Sequence, residues 1–204
     1  MFYVPKEKRV INYFAKNQTV FTASSAALAI GVAAGAFMAA RLSGDEAASL
    51  AADIIQSVGN ASGTTSFSKS LLQNSQSVLL FWVLGMSVVG APLLLAAIGV
   101  KGYAVGYTVG FLVRSFGLTG FLASASGVLP HNLLIVPCYV LLAGFGICFS
   151  KTLLKGGRDT KGQFTAYTLK AVLIFAVILS GSVFEGYISS GLMKNAMSIV
   201  INQG

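Results

Sequence analysis

One histidine, two cysteines and six carboxylates are all that 204 residues offer for metal, acid–base or thiol chemistry, and their spacing works against each. His131 stands in Leu129-Pro130-His131-Asn132 with no acid within several residues, whereas a zinc site needs three or four ligands. Cys138 and Cys148 are ten residues apart. On one helix that is ~15 Å along the axis, too far for a disulfide, and the pair cannot readily join His131 at a metal. No nucleophile–base–acid set can be assembled, and no Gly-rich phosphate loop of the Walker type occurs. The expectation is a chain that is not an enzyme and binds no cofactor or metal. Pro130 instead suits the start of a helix, where His131 or Asn132 can meet the free N–H groups of the first turn.

The elements that must position these residues are apolar and long. Val20–Ala40 and Val78–Val100 hold 21 and 23 residues without a charged side chain. At ~1.5 Å per helical residue, each can cross a hydrocarbon core of roughly 30 Å. Hydrophobic residues make up 55% and charged residues 10%, with a mean hydropathy of +0.77, which no water-soluble amphipathic bundle requires. A membrane β-barrel would alternate every second residue, and these runs do not. The sequence predicts an all-α integral membrane protein, a bundle of about five transmembrane helices. The expected spans are about 20–40, 78–100, 102–122, 132–150 and 169–188, with an external loop at 41–77. One domain, 1–204, accounts for the whole length.

The net charge of +8 does not point to nucleic acid, because of where the cations fall. Lys6, Lys8, Arg9 and Lys16 precede the first span, Lys101 separates the second from the third, and Lys151, Lys155, Arg158, Lys161 and Lys170 lie between the fourth and fifth. A cytoplasmic N-terminus puts those ten inside, against Arg41, Lys69, Arg114 and Lys194 outside. The first apolar run exceeds a signal-peptide core of about 7–15 residues, so it reads as an uncleaved signal anchor. Five spans then leave the C-terminus outside. The bilayer, including its anionic lipids, is the first expected partner.

Within the loop, Ser43 suits an N-cap, and Asp45–Val58 reads as a short amphipathic helix lying on the membrane or serving as a docking surface. Gly59–Thr65 reads as a flexible linker. Asn60-Ala61-Ser62 matches a glycosylation acceptor, which carries weight only in a eukaryotic secretory context. A kink is expected near Pro92, and a tight hairpin or re-entrant turn at Lys101-Gly102. Gly102, Gly106 and Gly110 recur every four residues, and Gly31 and Gly35 form a second pair. Such smooth stripes admit another backbone, either within the chain or in a homo-oligomer. Arg114 is expected in the outer half of the bilayer, paired with Glu185 or snorkelling.

From Trp82 to Ser150 the chain resembles the stage II sporulation protein M family of bacterial membrane proteins. The resemblance rests on Phe-Trp-Val-Leu-Gly at 81–85, with Trp82 and Gly85, on Gly90 with Pro92, and on Lys-Gly-Tyr-Ala-Val-Gly-Tyr-Thr-Val-Gly-Phe at 101–111. It continues through Pro130, His131, Asn132 and Pro137. The resemblance implies a non-enzymatic scaffold at the sporulation septum and the engulfing mother-cell membrane. There it would anchor two peptidoglycan-degrading enzymes, stage II sporulation proteins D and P. The alternative is the membrane subunit of a transporter, which should show polar side chains facing a cavity at mid-membrane and discontinuous helices.

Overall fold

A computed structural model describes residues 12–60, 63–125, 129–156 and 160–184. Nearly all of them are helical, and no strand occurs among them. The helices are α1 (Gln18–Ala40), α2 (Gly44–Asn60), α3 (Gly63–Gly85), α4 (Gly90–Ala123), α5 (Leu129–Leu154) and α6 (Thr160–Phe184). Among the described residues four stretches are long and apolar enough to cross a membrane: Gln18–Ala40, Gly90–Leu118, Asn132–Leu154 and Lys161–Gly181. Helix is the form these segments must take, since it satisfies every backbone polar group internally.

Side-chain pairings fix the directions. Asn74 and Gly85 of α3 meet Tyr139 and Gly146 of α5, so these two run parallel. Gly31 and Gly35 of α1 meet Tyr103 and Tyr107 of α4, also parallel. Lys101 of α4 reaches back to Ser77 of α3, and Gly181 of α6 meets Ile135 of α5. Hence α1, α4 and α6 point one way and α3 and α5 the other. One end carries Lys16, Lys151 and Lys155, and the opposite end carries α2.

The expected spans need redrawing at their middle. No turn occurs at Lys101-Gly102: α4 runs straight through them. The reversal lies at 86–89, inside the segment expected as one span over 78–100. It is pinned by Ser150, whose hydroxyl donates to the carbonyls of Ser87 (2.8 Å) and Val88 (3.3 Å). Pro92 does not kink a span either. It sits in the first turn of α4, where its missing N–H has no partner to lose. The Gly59–Thr65 linker is largely helical as well, α2 extending to Asn60 and α3 starting at Gly63.

The real discontinuity of α4 is Gly117, at φ 57° and ψ −131°, backbone that glycine adopts readily and other residues resist. Beyond it the chain folds back until Gly120 lies against the Leu112 carbonyl. The main core gathers Phe81, Leu94, Ile98, Tyr139, Leu142, Ile147 and Ile178. A smaller cluster of Ala39, Phe111 and Leu112 seats Leu42 and Ala47 at the start of α2.

Candidate functional site

The glycine stripe brings the backbones of α1 and α4 into direct contact. A Cβ on Gly106 would fall 2.7 Å from the Val32 carbonyl carbon and 2.8 Å from its Cα, and one on Gly110 3.0 Å from Ala36 Cα. Gly102 lies similarly against Leu28, and Gly31 and Gly35 lie against the backbone at Gly99, Tyr103 and Tyr107. The two stripes interlock within one chain. A second copy would have to displace α1 to use them.

On another face of α4 is a polar network that the sequence reading placed elsewhere. Lys101 lies about 16 Å along the axis from the start of α4, roughly halfway across a 30 Å hydrocarbon core. Its ammonium donates to the Ser77 hydroxyl at 2.7 Å and stands 4.6 Å from the centre of the Tyr139 ring. The Tyr139 hydroxyl in turn donates to Asn74 Oδ1 at 3.2 Å, and Asn74 Nδ2 to the Ser70 hydroxyl at 3.3 Å. These groups flank a cavity of about 280 Å³ that also takes in Gln73, Thr108 and Asn132. An ionisable group at this depth costs on the order of 2.5–3.5 kcal/mol on insertion scales, so it persists only where polar partners meet it.

The signal for this site was in the sequence. Ser70, Asn74 and Ser77 are spaced i, i+4, i+7 and share one helix face. Read as part of an external loop, their polarity seemed to answer to water. In the fold it answers to Lys101. The count of ten inside cations loses Lys101 for the same reason.

Trp82 and Gly85 sit where α3 packs on α5 and α6. Trp82 Nε1 donates to the Thr168 hydroxyl at 3.3 Å, and the Tyr167 hydroxyl donates to the Trp82 carbonyl at 3.1 Å. Gly85 lets Tyr167 and Gly146 approach α3. Pro130 and His131 stand in the first turn of α5, although their side chains lie outside the described residues, and Pro137 is inside that helix. Cys138 and Cys148 are free thiols on α5. Among the described residues no group of three metal-ligating side chains comes together.

Arg114 uses its two terminal nitrogens on backbone. Nη1 donates to the Ala40 carbonyl and Nη2 to the Leu42 carbonyl, each at 2.7 Å. Glu185, the acid expected to pair with it, lies outside the described residues. At the start of α2, Ser43 and Glu46 form a capping box: the Ser43 N–H and hydroxyl donate to Glu46 Oε2 at 3.0 and 2.9 Å, and the Glu46 N–H donates back at 3.3 Å. The Ser43 backbone bond, then its hydroxyl, lowers the Glu46 pKa below the ordinary carboxylate value.

Long apolar helices, alternating in direction around a packed core, define an all-α multi-pass membrane protein. The family model for stage II sporulation protein M matches residues 24–190, and the chain belongs to that family. No curated protein and no solved structure matches it.

Proposed function

We propose that this sporulation membrane protein is a non-enzymatic scaffold, which anchors peptidoglycan-degrading enzymes of the stage II sporulation D and P type at the septum and engulfing membrane. The observation that carries the reading is α2. Its described contacts with the bundle are at its start, through Leu42 and Ala47, and Ser49, Asp53 and Gln56 are exposed. A helix displayed this way offers a partner a surface at one end of the bundle. The lysine-rich end opposite suits the cytoplasmic face, where positive residues concentrate, so α2 would face the wall. Photo-crosslinkers at Ser49, Asp53 and Gln56 in sporulating cells, with Ala47 as the packed control, test this. Capture of wall hydrolases from the exposed positions supports the scaffold. Capture of lipid or of an ATPase subunit alone refutes it.

A second reading, the membrane subunit of a transporter, is favoured by the Lys101 cavity. Gly106 and Gly110 are poor reporters for it, since both pack on α1. Ala104 and Thr108 line the cavity, and cysteines there should react with membrane-impermeant thiol reagents if water reaches it. Protection at both positions removes the transport reading.

A further inference from the structure

The lysine-rich end contains a second cavity, of about 430 Å³, between the segment before α1, the end of α5 and the first turns of α6. Four lysines from these three elements line it: Lys16, Lys151, Lys155 and Lys170. No carboxylate stands among its described lining residues. Lys170 is fixed rather than splayed. Its ammonium lies 4.4 Å from the centre of the Tyr13 ring and 4.7 Å from that of Phe145, a double cation–π contact. Tyr13 is itself held by edge and tilted contacts to Phe14 and Phe145. Burial, with a further contribution from Cys148, pushes the Tyr13 pKa well above the ordinary phenol value, so its hydroxyl keeps its proton and can donate. Asn17, Thr152 and Gln163 add uncharged polar groups to the wall.

A concave site with four cations, several hydrogen-bonding side chains and no acid among its described lining residues is built for a phosphate-bearing anion. Its position selects among such anions. Ala166, exposed on the cavity wall, begins a strip on α6 that continues through exposed Leu169 and Leu173 at helical spacing. A headgroup among the lysines would thus have its acyl chains alongside an apolar helix face. Basic pockets between helices at the cytoplasmic side bind lipids in this way. We propose that this cavity is a specific binding site for the phosphate of an anionic phospholipid, which clamps the segment before α1 against α5 and α6.

The test uses the full chain purified in an uncharged detergent. Its thermal unfolding is followed on adding phosphatidylglycerol, phosphatidylcholine, or water-soluble glycerol phosphate. Phosphatidylglycerol should raise the melting temperature and phosphatidylcholine should not. Each lysine removed should weaken the lipid's half-effect concentration roughly fivefold. The exposed pair is replaced first, as Lys151→Gln with Lys155→Gln, because neither side chain is part of the core. That variant should need roughly twenty-five-fold more lipid. Arg41→Gln with Lys69→Gln, distant from the cavity, should respond like the parent. Equal stabilisation by both lipids overturns the proposal, as does equal weakening in the two double variants. Stabilisation by glycerol phosphate matching that of the lipid overturns it too, by making a soluble phosphate the ligand.

Discussion

Gly106→Ala puts one methyl group where α1 already has backbone. The new Cβ would lie 2.7 and 2.8 Å from the carbonyl carbon and Cα of Val32, and closer still to its carbonyl oxygen. Carbon–carbon contacts settle at about 3.5–4.0 Å, so the helices must part by roughly 1 Å along the stripe. No rotamer can relieve the clash, because all three partners are main-chain atoms. Overpacking of this kind costs about 1–3 kcal/mol, and the rigid obstacle argues for the upper half. Alanine regains up to about 1 kcal/mol of helix propensity over glycine, leaving a net loss of about 1–2 kcal/mol. Gly99→Ala is the matched control, on the same helix. Its Cβ would meet only the Ala27 carbonyl at 3.6 Å, an ordinary contact, so the propensity gain should show undiminished. Reversible unfolding in a mixed micelle, followed by far-ultraviolet circular dichroism, reads both. Gly106→Ala should be less stable than the parent and Gly99→Ala equal or more stable. A Gly106→Ala protein as stable as Gly99→Ala would refute the interlocked stripe.

Three further outcomes follow from the site geometry. Lys101→Leu removes a charge that costs about 2.5–3.5 kcal/mol to hold at mid-bilayer, so melting temperature should hold or rise while spore yield falls. Normal sporulation by that variant would show that the lysine has no part in the function. Arg114→Gln should lose the two bonds to Ala40 and Leu42, worth about 1 kcal/mol together after allowing for the exposure of the side chain. Faster proteolysis between α1 and α2 would report it, and Glu185→Ala should leave that rate unchanged if the carbonyls are the true partners. Glu46 has a depressed pKa, so its contribution to the start of α2 is complete above its unfolded value and fades as pH falls through the lower folded one. Amide exchange in the first turn of α2 should accelerate below about pH 4 in the parent and be independent of pH in Glu46→Gln, after correction for intrinsic exchange.

The sequence displayed the membrane class openly, because a helix that must face lipid cannot hide its apolar length. It displayed α2 as well, through Ser43, the acidic first turn and the four-residue spacing of Leu50, Ile54 and Val58. What misled was the stretch from Val78 to Arg114, long enough for nearly two crossings and interrupted by one lysine. Cutting at Lys101 gives two spans of convenient length, and hydropathy alone prefers that cut. The true reversal at 86–89 has no charge to advertise it, since Ser150 on another helix satisfies its carbonyls. Its marks are tertiary, and a single helix read in isolation does not show them.

The same misplacement hides from the sequence the polar mid-membrane face that a transporter should show. With Ser70, Asn74 and Ser77 assigned to water and Lys101 to a loop, the spans seemed to hold only small apolar residues. Restoring all four to the bundle interior changes the balance, because α3 is then polar along the face it turns to α4. A passive tether needs no such face, since Leu at position 101 would insert at lower cost. Lys101 is met within the bundle by the Ser77 hydroxyl and the Tyr139 ring, and the cavity beside it has room for an anion or for a polar position on a partner's transmembrane helix. The scaffold reading accommodates the second, and the transport reading requires the first. Thiol accessibility at Ala104 and Thr108 separates them, because a docked helix excludes water from the cavity and a permeation path admits it.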